Sequence, residues 1–523
     1  MSAKTRNSRI CIFLLLLASM LSAGPDTARA ISIKEEKELS EKYMEMIRKN
    51  QTLIKDPIVC NLVESVGREI LAEVPPSPFN FSFYAVDNDS FNAFAAPGAN
   101  IFLNRELIVS LDTVDELAGI IGHEIAHASL RHISQIIDKS KIVNLGSLAG
   151  IIAGALIGGA GGEADIGQAV IAGSMAAGQT AILSYSREHE KEADQLGFNY
   201  LSHTGFSPEG LLTGLEKIRA RDYYGTEDIP DYFKTHPGVR KRISFLESLL
   251  KSRPAGSGLP EKDSYRFDMV KARLTGLYDK PDQAVEQFTN LLNTHPDTVA
   301  FHYGLALALA RQSRIEKALE SLRSALEINA FDPMLLLESG RLTLLNSDAQ
   351  NAADILEGIK DDPMVGLMAT YHLGRAEIEL GRLTRAEQHL DRVIRKLPDF
   401  YPKAHYHRAR IHSEKGENTL SHYHLGVYYT KIDNMENARF HLKKALSGRL
   451  DGNFKKKAKE LLQEAEETEE TKARSGKRGP GKKFSGKREN SFHGPAGFFS
   501  KYPDHSLQQE SGPFQNTGQG YHP

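Results

Sequence analysis

The sequence predicts a mostly helical α+β domain with a small sheet, followed by an all-α array of repeated helix pairs. Three observations carry this reading. One amphipathic helical stretch holds His123-Glu124-Ile125-Ala126-His127, and two short runs, 79–86 and 92–103, read as extended chain. From about 265 onward, small and large apolar residues recur with a period of 34. A length of 523 residues exceeds one domain, and 40% hydrophobic with 25% charged residues is ordinary globular composition. The net charge of −2 averages over very different regions and singles out no partner; no nucleic-acid partner is expected.

Residues 1–30 read as a signal peptide. Lys4, Arg6 and Arg9 make a basic start, Ile10 to Leu21 an apolar stretch, and Ala28-Arg29-Ala30 a cleavage site that leaves Ile31 first. An uncleaved anchor is the alternative. Cys11 has no small-residue lipobox before it, so a lipoprotein is not expected. Removal of the leader would leave Cys60 alone, with no disulfide within a chain. The expected location is the periplasm.

The first domain after this leader is expected over 31–255. Helical spacing runs through about 32–74 until Pro75-Pro76-Ser77-Pro78 ends it. Phe79 to Val86 alternates as a strand, and Asn92 to Leu103 is a second extended stretch broken by Pro97-Gly98. Thr113-Val114-Asp115-Glu116 then has the form of a capping box. Leu117, Ile120, Ile121 and Ile125 continue a helix to about His132. On that helix His123 and His127, four apart, share a face and can reach one metal ion. Glu124 stands where a base would take a proton from a water on that metal.

Two histidines do not complete a catalytic zinc site, which uses three protein ligands and leaves one position open. The downstream segment Ser186 to Asp194 supplies Glu188, Glu190 and Glu192, and on a helix Glu190 and Asp194 share a face. Spacing alone does not choose among the three glutamates.

Between the two halves of this site, 145–185 is rich in Gly and Ala, with uncharged runs from Leu145 to Gly162 and Ile166 to Tyr185. A mobile hairpin covering the site or touching lipid is expected. A buried helical hairpin and a pair of membrane spans are the alternatives.

Repeats are expected over 265–450. Ala272, Ala306, Gly340 and Gly374 are each 34 apart. Ala284, Ala318, Ala352 and Ala386 keep the same step, as do Phe288, Leu322, Leu356 and Leu390. This is the tetratricopeptide register. Gly426, Ala438, Leu442 and Ala445 repeat it with a displacement of 18, which predicts an extra pair of helical turns near 402–420. Beyond 450 the chain loses core-forming residues, so 451–523 reads as a disordered tail with a basic run from Lys472 to Arg488.

His123-Glu124-x-x-His127 followed by Ser186-Arg187-x-x-Glu190-x-x-Ala193-Asp194 resembles the gluzincins of the CAAX-prenyl-protease/HtpX family. The resemblance covers roughly 31–450. It implies one Zn2+ per chain held by His123, His127 and Glu190, with Glu124 as general base and Asp194 orienting a ligand histidine. It further makes Asn92-Ala93-Phe94 the segment where substrate adds as a strand. Thr235-His236-Pro237 with Arg242 resembles the family's His-Pro element. That likeness makes His236 a regulatory plug of the open zinc position and Arg242, with Arg240 as competitor, the oxyanion stabiliser. Gly98-Ala99 departs from the family's paired glycines. The implied function is a zinc endopeptidase in outer-membrane protein assembly and quality control. Its implied partners are protein substrates and outer-membrane β-barrel assembly machinery, with possible peripheral membrane contact. A chaperone or scaffold acting through the repeats is the alternative.

Overall fold

The structure is a computed structural model that describes residues 31–50, 53–140, 185–223, 231–253 and 262–476. The expected signal peptide, the Gly/Ala-rich stretch up to 184 and the tail beyond 476 lie outside the described residues. The chain divides into two compact units, Met1–Ile54 with Leu62–Phe267, and Lys55–Asn61 with Asp268–Pro523.

The first unit opens with α1 (Ile33–Asn50) and most of α2 (Pro57–Leu71). Three short strands follow, β1 (Ser82–Val86), β2 (Ala93–Ala96) and β3 (Asn100–Asn104), in the order β1-β3-β2. The extended stretch 92–103 is therefore a hairpin. β3 pairs antiparallel with β2 and parallel with β1, which leaves β2 at an edge of this sheet. Phe94 sits opposite Phe102 and stacks on it with centroids 5.0 Å apart. In the hairpin turn Gly98 (φ +78°) and Ala99 (φ +60°) are both left-handed. Ala99 thus bears the steric cost, roughly 1–2 kcal/mol, that a second glycine would avoid.

After α3 (Arg105–Ser110) comes α4 (Val114–Ser129), the central helix, buried from Val114 to Ala128. Thr113 Oγ1 accepts from Glu116 N at 3.2 Å, and the Glu116 carboxylate reaches back to Asp112 N at 2.7 Å. The helix stops short of the expected His132, because Arg131 turns left-handed (φ +54°) and α5 (His132–Ser140) starts in a new direction. α4 packs on β2 and β3 and on two later helices, α6 (Arg187–Leu201) and α7 (Glu209–Tyr223). Missing side chains permit this closeness. A Cβ on Gly119 would lie 2.5 Å from Leu211 N, and one on Gly197 would lie 3.1 Å from His123 N. α8 (Asp231–Thr235) and α9 (Val239–Lys251) complete the unit.

Among the described residues, the regular elements of the second unit are helices. The pairs are α10 (Tyr265–Tyr278) with α11 (Pro281–Thr294), α12 (Val299–Arg311) with α13 (Ile315–Ile328), α14 (Pro333–Leu345) with α15 (Ala349–Ile359), and α16 (Gly366–Glu379) with α17 (Leu383–Lys396). The 34-residue register is the contact between paired helices. A Cβ on Gly340 would meet Leu356 at 2.6 Å, and one on Gly374 would meet Leu390 at 3.1 Å. The expected extra pair of turns near 402–420 is one helix, α18 (Lys403–Glu414). α19 (Asn418–Lys431) and α20 (Met435–Ser447) then restore the register, with Gly426 against Leu442.

Two boundaries differ from the sequence reading. The chain does not lose its structure at 451, since α21 (Gly452–Gly476) follows. Its Ala458 and Leu461 pack with Tyr423, Val427, Ala438 and Leu442. Sparse apolar residues at helical spacing suffice when a neighbouring helix offers an apolar face. At the other end, Lys55–Asn61 groups with the repeats. Asp56 explains this: one carboxylate oxygen caps Ile58 N at 3.0 Å, and the other receives Arg273 Nε at 2.9 Å and Nη2 at 2.7 Å.

Candidate metal centre

The α4 residues His123 and His127 are one helical turn apart and fully buried, with their Nε2 atoms 2.9 Å apart. α6 brings the third donor. Its start is fixed by Ser186, whose Oγ accepts from His189 N at 3.2 Å while His189 Nδ1 accepts from Ser186 N. From that start Glu190 and Asp194 face inward and are completely buried, whereas Glu188 and Glu192 are exposed, with Glu192 Oε2 3.2 Å from His132 Nε2. Glu190 Oε2 lies 3.5 Å from His123 Nε2, and Oε1 lies 3.4 Å from His127 Nε2. The spacing left three glutamates open; among them the fold puts Glu190 beside the histidines.

Asp194 holds the far side of His123, its Oδ1 2.9 Å from Nδ1. His236, just after α8, comes in from another direction. Its Nδ1 lies 3.1 Å from Glu190 Oε1 and its ring stacks on Tyr232 with centroids 4.4 Å apart. His123, His127, Glu190 and His236 thus each offer a donor atom within 4.8 Å of the others.

Arg242, on α9, does not stand free for an oxyanion. Its Nε and Nη2 donate to the two Asp194 oxygens at 2.8 and 2.7 Å, and Nη1 lies 2.7 Å from Glu190 Oε2. A guanidinium already paired with two buried carboxylates has little net field left for a third anion. The geometry instead makes it the clamp that fixes Glu190 and Asp194. Its expected competitor Arg240 is exposed.

Burial opposes every charge here. Burial alone would raise the Glu190 carboxyl, but Arg242 and His236 hold it well below the usual carboxylate range. Burial and the Arg242 charge both push His123 down. Hydrogen bonds to Asp194 and Glu190 outweigh them and bring it up to about 9. Burial drives His127 well down and Glu124 up.

These residues fit a zinc ion. The donors are imidazole nitrogen and carboxylate oxygen, the set that zinc prefers. Both Glu124 carboxylate oxygens and His236 Nε2 are buried without a hydrogen-bond partner, a costly condition that a bound cation and its water would relieve.

Ala93 and Phe94 begin the edge strand β2, and Asn92 immediately precedes it. The Phe94 side chain belongs to the core, so any contact there uses backbone. Sequence reasoning missed three neighbours. The Tyr185 ring stacks on His127, Tyr232 backs His236, and His132 Nδ1 sits 2.8 Å from His127 Nδ1. Of these only His132, close after the motif, left a trace in the sequence.

Residues 59–250, which contain every one of these side chains, match the profile of peptidase family M48. The site lies within the stretch that is similar to peptidase family M48. Tetratricopeptide matches follow at 279–333, 368–399 and 419–447. Among curated relatives, the beta-barrel assembly-enhancing protease of Yersinia pestis is 27% identical over 329 residues, 62% of this chain and 64% of the relative. The protein of that name from Escherichia coli K12 is 25% identical over 380 residues, 71% of this chain and 75% of its own. Metalloprotease LoiP of the same organism is 26% identical over 237 residues, 45% of this chain and 88% of its own. The chain thus spans just under two thirds of the first of these relatives.

Proposed function

We propose that this chain is a zinc-dependent endopeptidase of the periplasm that acts on proteins during outer-membrane β-barrel assembly and quality control, with its repeats binding protein. The observation that carries the reading is the buried meeting of His123, His127 and Glu190 beside the Glu124 carboxylate, which has no hydrogen-bond partner. The names of the Yersinia pestis and Escherichia coli relatives support the assembly setting.

His123, His127 and Glu190 would hold the ion. When bound, zinc makes water a nucleophile near neutral pH and polarises a carbonyl. Glu124 takes the proton from the attacking water and returns it to the leaving amine. Asp194 fixes the orientation of His123 through Nδ1, and Arg242 fixes both carboxylates. The backbone of β2 offers an edge on which an extended substrate can pair. His236, whose Nε2 is 3.6 Å from Glu124 Oε1, would offer the ion a further donor and so restrain the enzyme.

Glu124→Gln tests this. The variant should retain zinc and lose casein cleavage by about 100-fold or more; cleavage at the wild-type rate would refute the mechanism. The closeness of His236 also favours a second reading, a repeat-based chaperone or scaffold with a latent zinc site. Complete cellular function from Glu124→Gln would select it.

A further inference from the structure

We propose that Ile31, once freed by cleavage after Ala30, docks its α-ammonium on Asp138 and thereby secures the turn that supports His127. This rests on the export reading above. Hydrolysis of the Ala30–Ile31 peptide bond by a processing peptidase consumes one water. The C–N bond breaks, the hydroxyl goes to the Ala30 carbonyl carbon, and the nitrogen of Ile31 gains a proton to become an amine that is protonated at neutral pH.

A receptor for that terminus is in place. Ile31 N lies 2.7 Å from Asp138 Oδ1, across 107 residues of sequence. Ile31 O receives Arg131 Nη2 at 2.7 Å, and the Ile31 side chain packs on the cluster that holds Phe94, Ile137 and Tyr185. An apolar side chain in a core, a carbonyl on an arginine and a nitrogen on a carboxylate together define one bound position.

The charges around it favour a cation. Two acids, Glu35 and Glu36, and one base, Arg131, act on Asp138, and Arg131 already pairs with Glu36 Oε2 at 2.7 Å. Asp138 also falls near the end of α5 (His132–Ser140), where a negative charge opposes the helix dipole. Burial, aided by Glu35 and Glu36, raises the Asp138 carboxyl against the opposing hydrogen bond from Ile31 N and the charge of Arg131. A peptide N–H supplies a donor there but no charge. The free terminus supplies both.

The same contacts lead to the metal site. Arg131, in its left-handed conformation, is held between Ile31 O and Glu36 Oε2 (2.8 Å from Nε). The next residue, His132, places Nδ1 2.8 Å from His127 Nδ1. Glu36 Oε1 also accepts from Gly98 N in the β2–β3 turn at 3.3 Å. Docking of Ile31 therefore steadies both the outer nitrogen of His127 and the hairpin that carries β2.

The test compares the full chain from Ile31 with the same chain still carrying Ala28-Arg29-Ala30, each with Asp138 intact and as Asp138→Asn, all stripped of metal by chelator. The readout is amide hydrogen exchange in 131–140. The free terminus should slow exchange there by about threefold or more, and Asp138→Asn should erase that difference. Equal exchange in the free and extended chains, or a difference that survives Asp138→Asn, would overturn the docking. N-terminal sequencing of the exported full-length chain reports separately on processing: a start at Ile31 is expected, and any other start overturns the cleavage step.

Discussion

The ring of Tyr185 lies on that of His127, with centroids 3.8 Å apart and planes inclined by 24°. Its hydroxyl reaches Ala95 O of the edge strand at 3.4 Å, and its backbone N donates to Thr235 O beside His236. One fully buried residue thus touches a candidate ligand, the strand proposed to receive substrate, and the segment that carries His236, whose ring centroid lies 5.0 Å from its own. Tyr185→Ala should destabilise the chain by about 3–5 kcal/mol through the cavity it leaves. It should also speed casein cleavage by the molecules that stay folded. Tyr185→Phe, which keeps the ring, should stay within about 1.5 kcal/mol of wild type. Urea melts that place both variants together would show that the ring does not pack there.

Gly119→Ala weighs helix propensity against packing. Alanine gains up to about 1 kcal/mol within a helix. Its Cβ, however, would fall 2.5 Å from Leu211 N and 2.6 Å from Leu211 Cα, backbone atoms that cannot rotate aside. The overpacking should win by about 1–3 kcal/mol and shift α4 against α7. Because α4 carries both histidines, zinc affinity should fall with stability. Calorimetry of zinc binding beside a urea melt checks both. A net gain in stability would mean that the helices part at no cost.

Acid should weaken the repeat unit through Glu338. Burial alone would raise this carboxyl, yet Arg341 and Arg273 hold it at about 2. A group depressed in the folded state stabilises it above the unfolded value near 4.5. That stabilisation is lost as pH falls toward about 2. The size at neutral pH is roughly 3 kcal/mol. Glu338→Gln should give up most of it and flatten the loss of helical circular dichroism between pH 4.5 and 2. An unaltered acid profile in the variant would contradict this.

The legible parts of this molecule were those written in local periodicity. His123 and His127 share a face because a helix repeats every 3.6 residues, and the small–large register of Gly340 with Leu356 follows from helix pairing. What the sequence hid depends on distant partners. Asp56 and Arg273, 217 residues apart, set where the second unit begins, and no local pattern announces such a pair. Arg242 looked available for catalysis because its commitment to Asp194 and Glu190 exists only after α6 and α9 meet. The turn at Arg131 broke a helix whose apolar spacing ran on, since a single left-handed residue leaves the pattern intact.

The most direct measurement is zinc content together with casein cleavage for the chain from Ile31, alongside His236→Ala. About one zinc per chain is expected in both, with low cleavage by wild type and cleavage several-fold higher in His236→Ala. Absence of zinc from both, or zinc without any gain from His236→Ala, would contradict a restrained peptidase built on His123, His127 and Glu190.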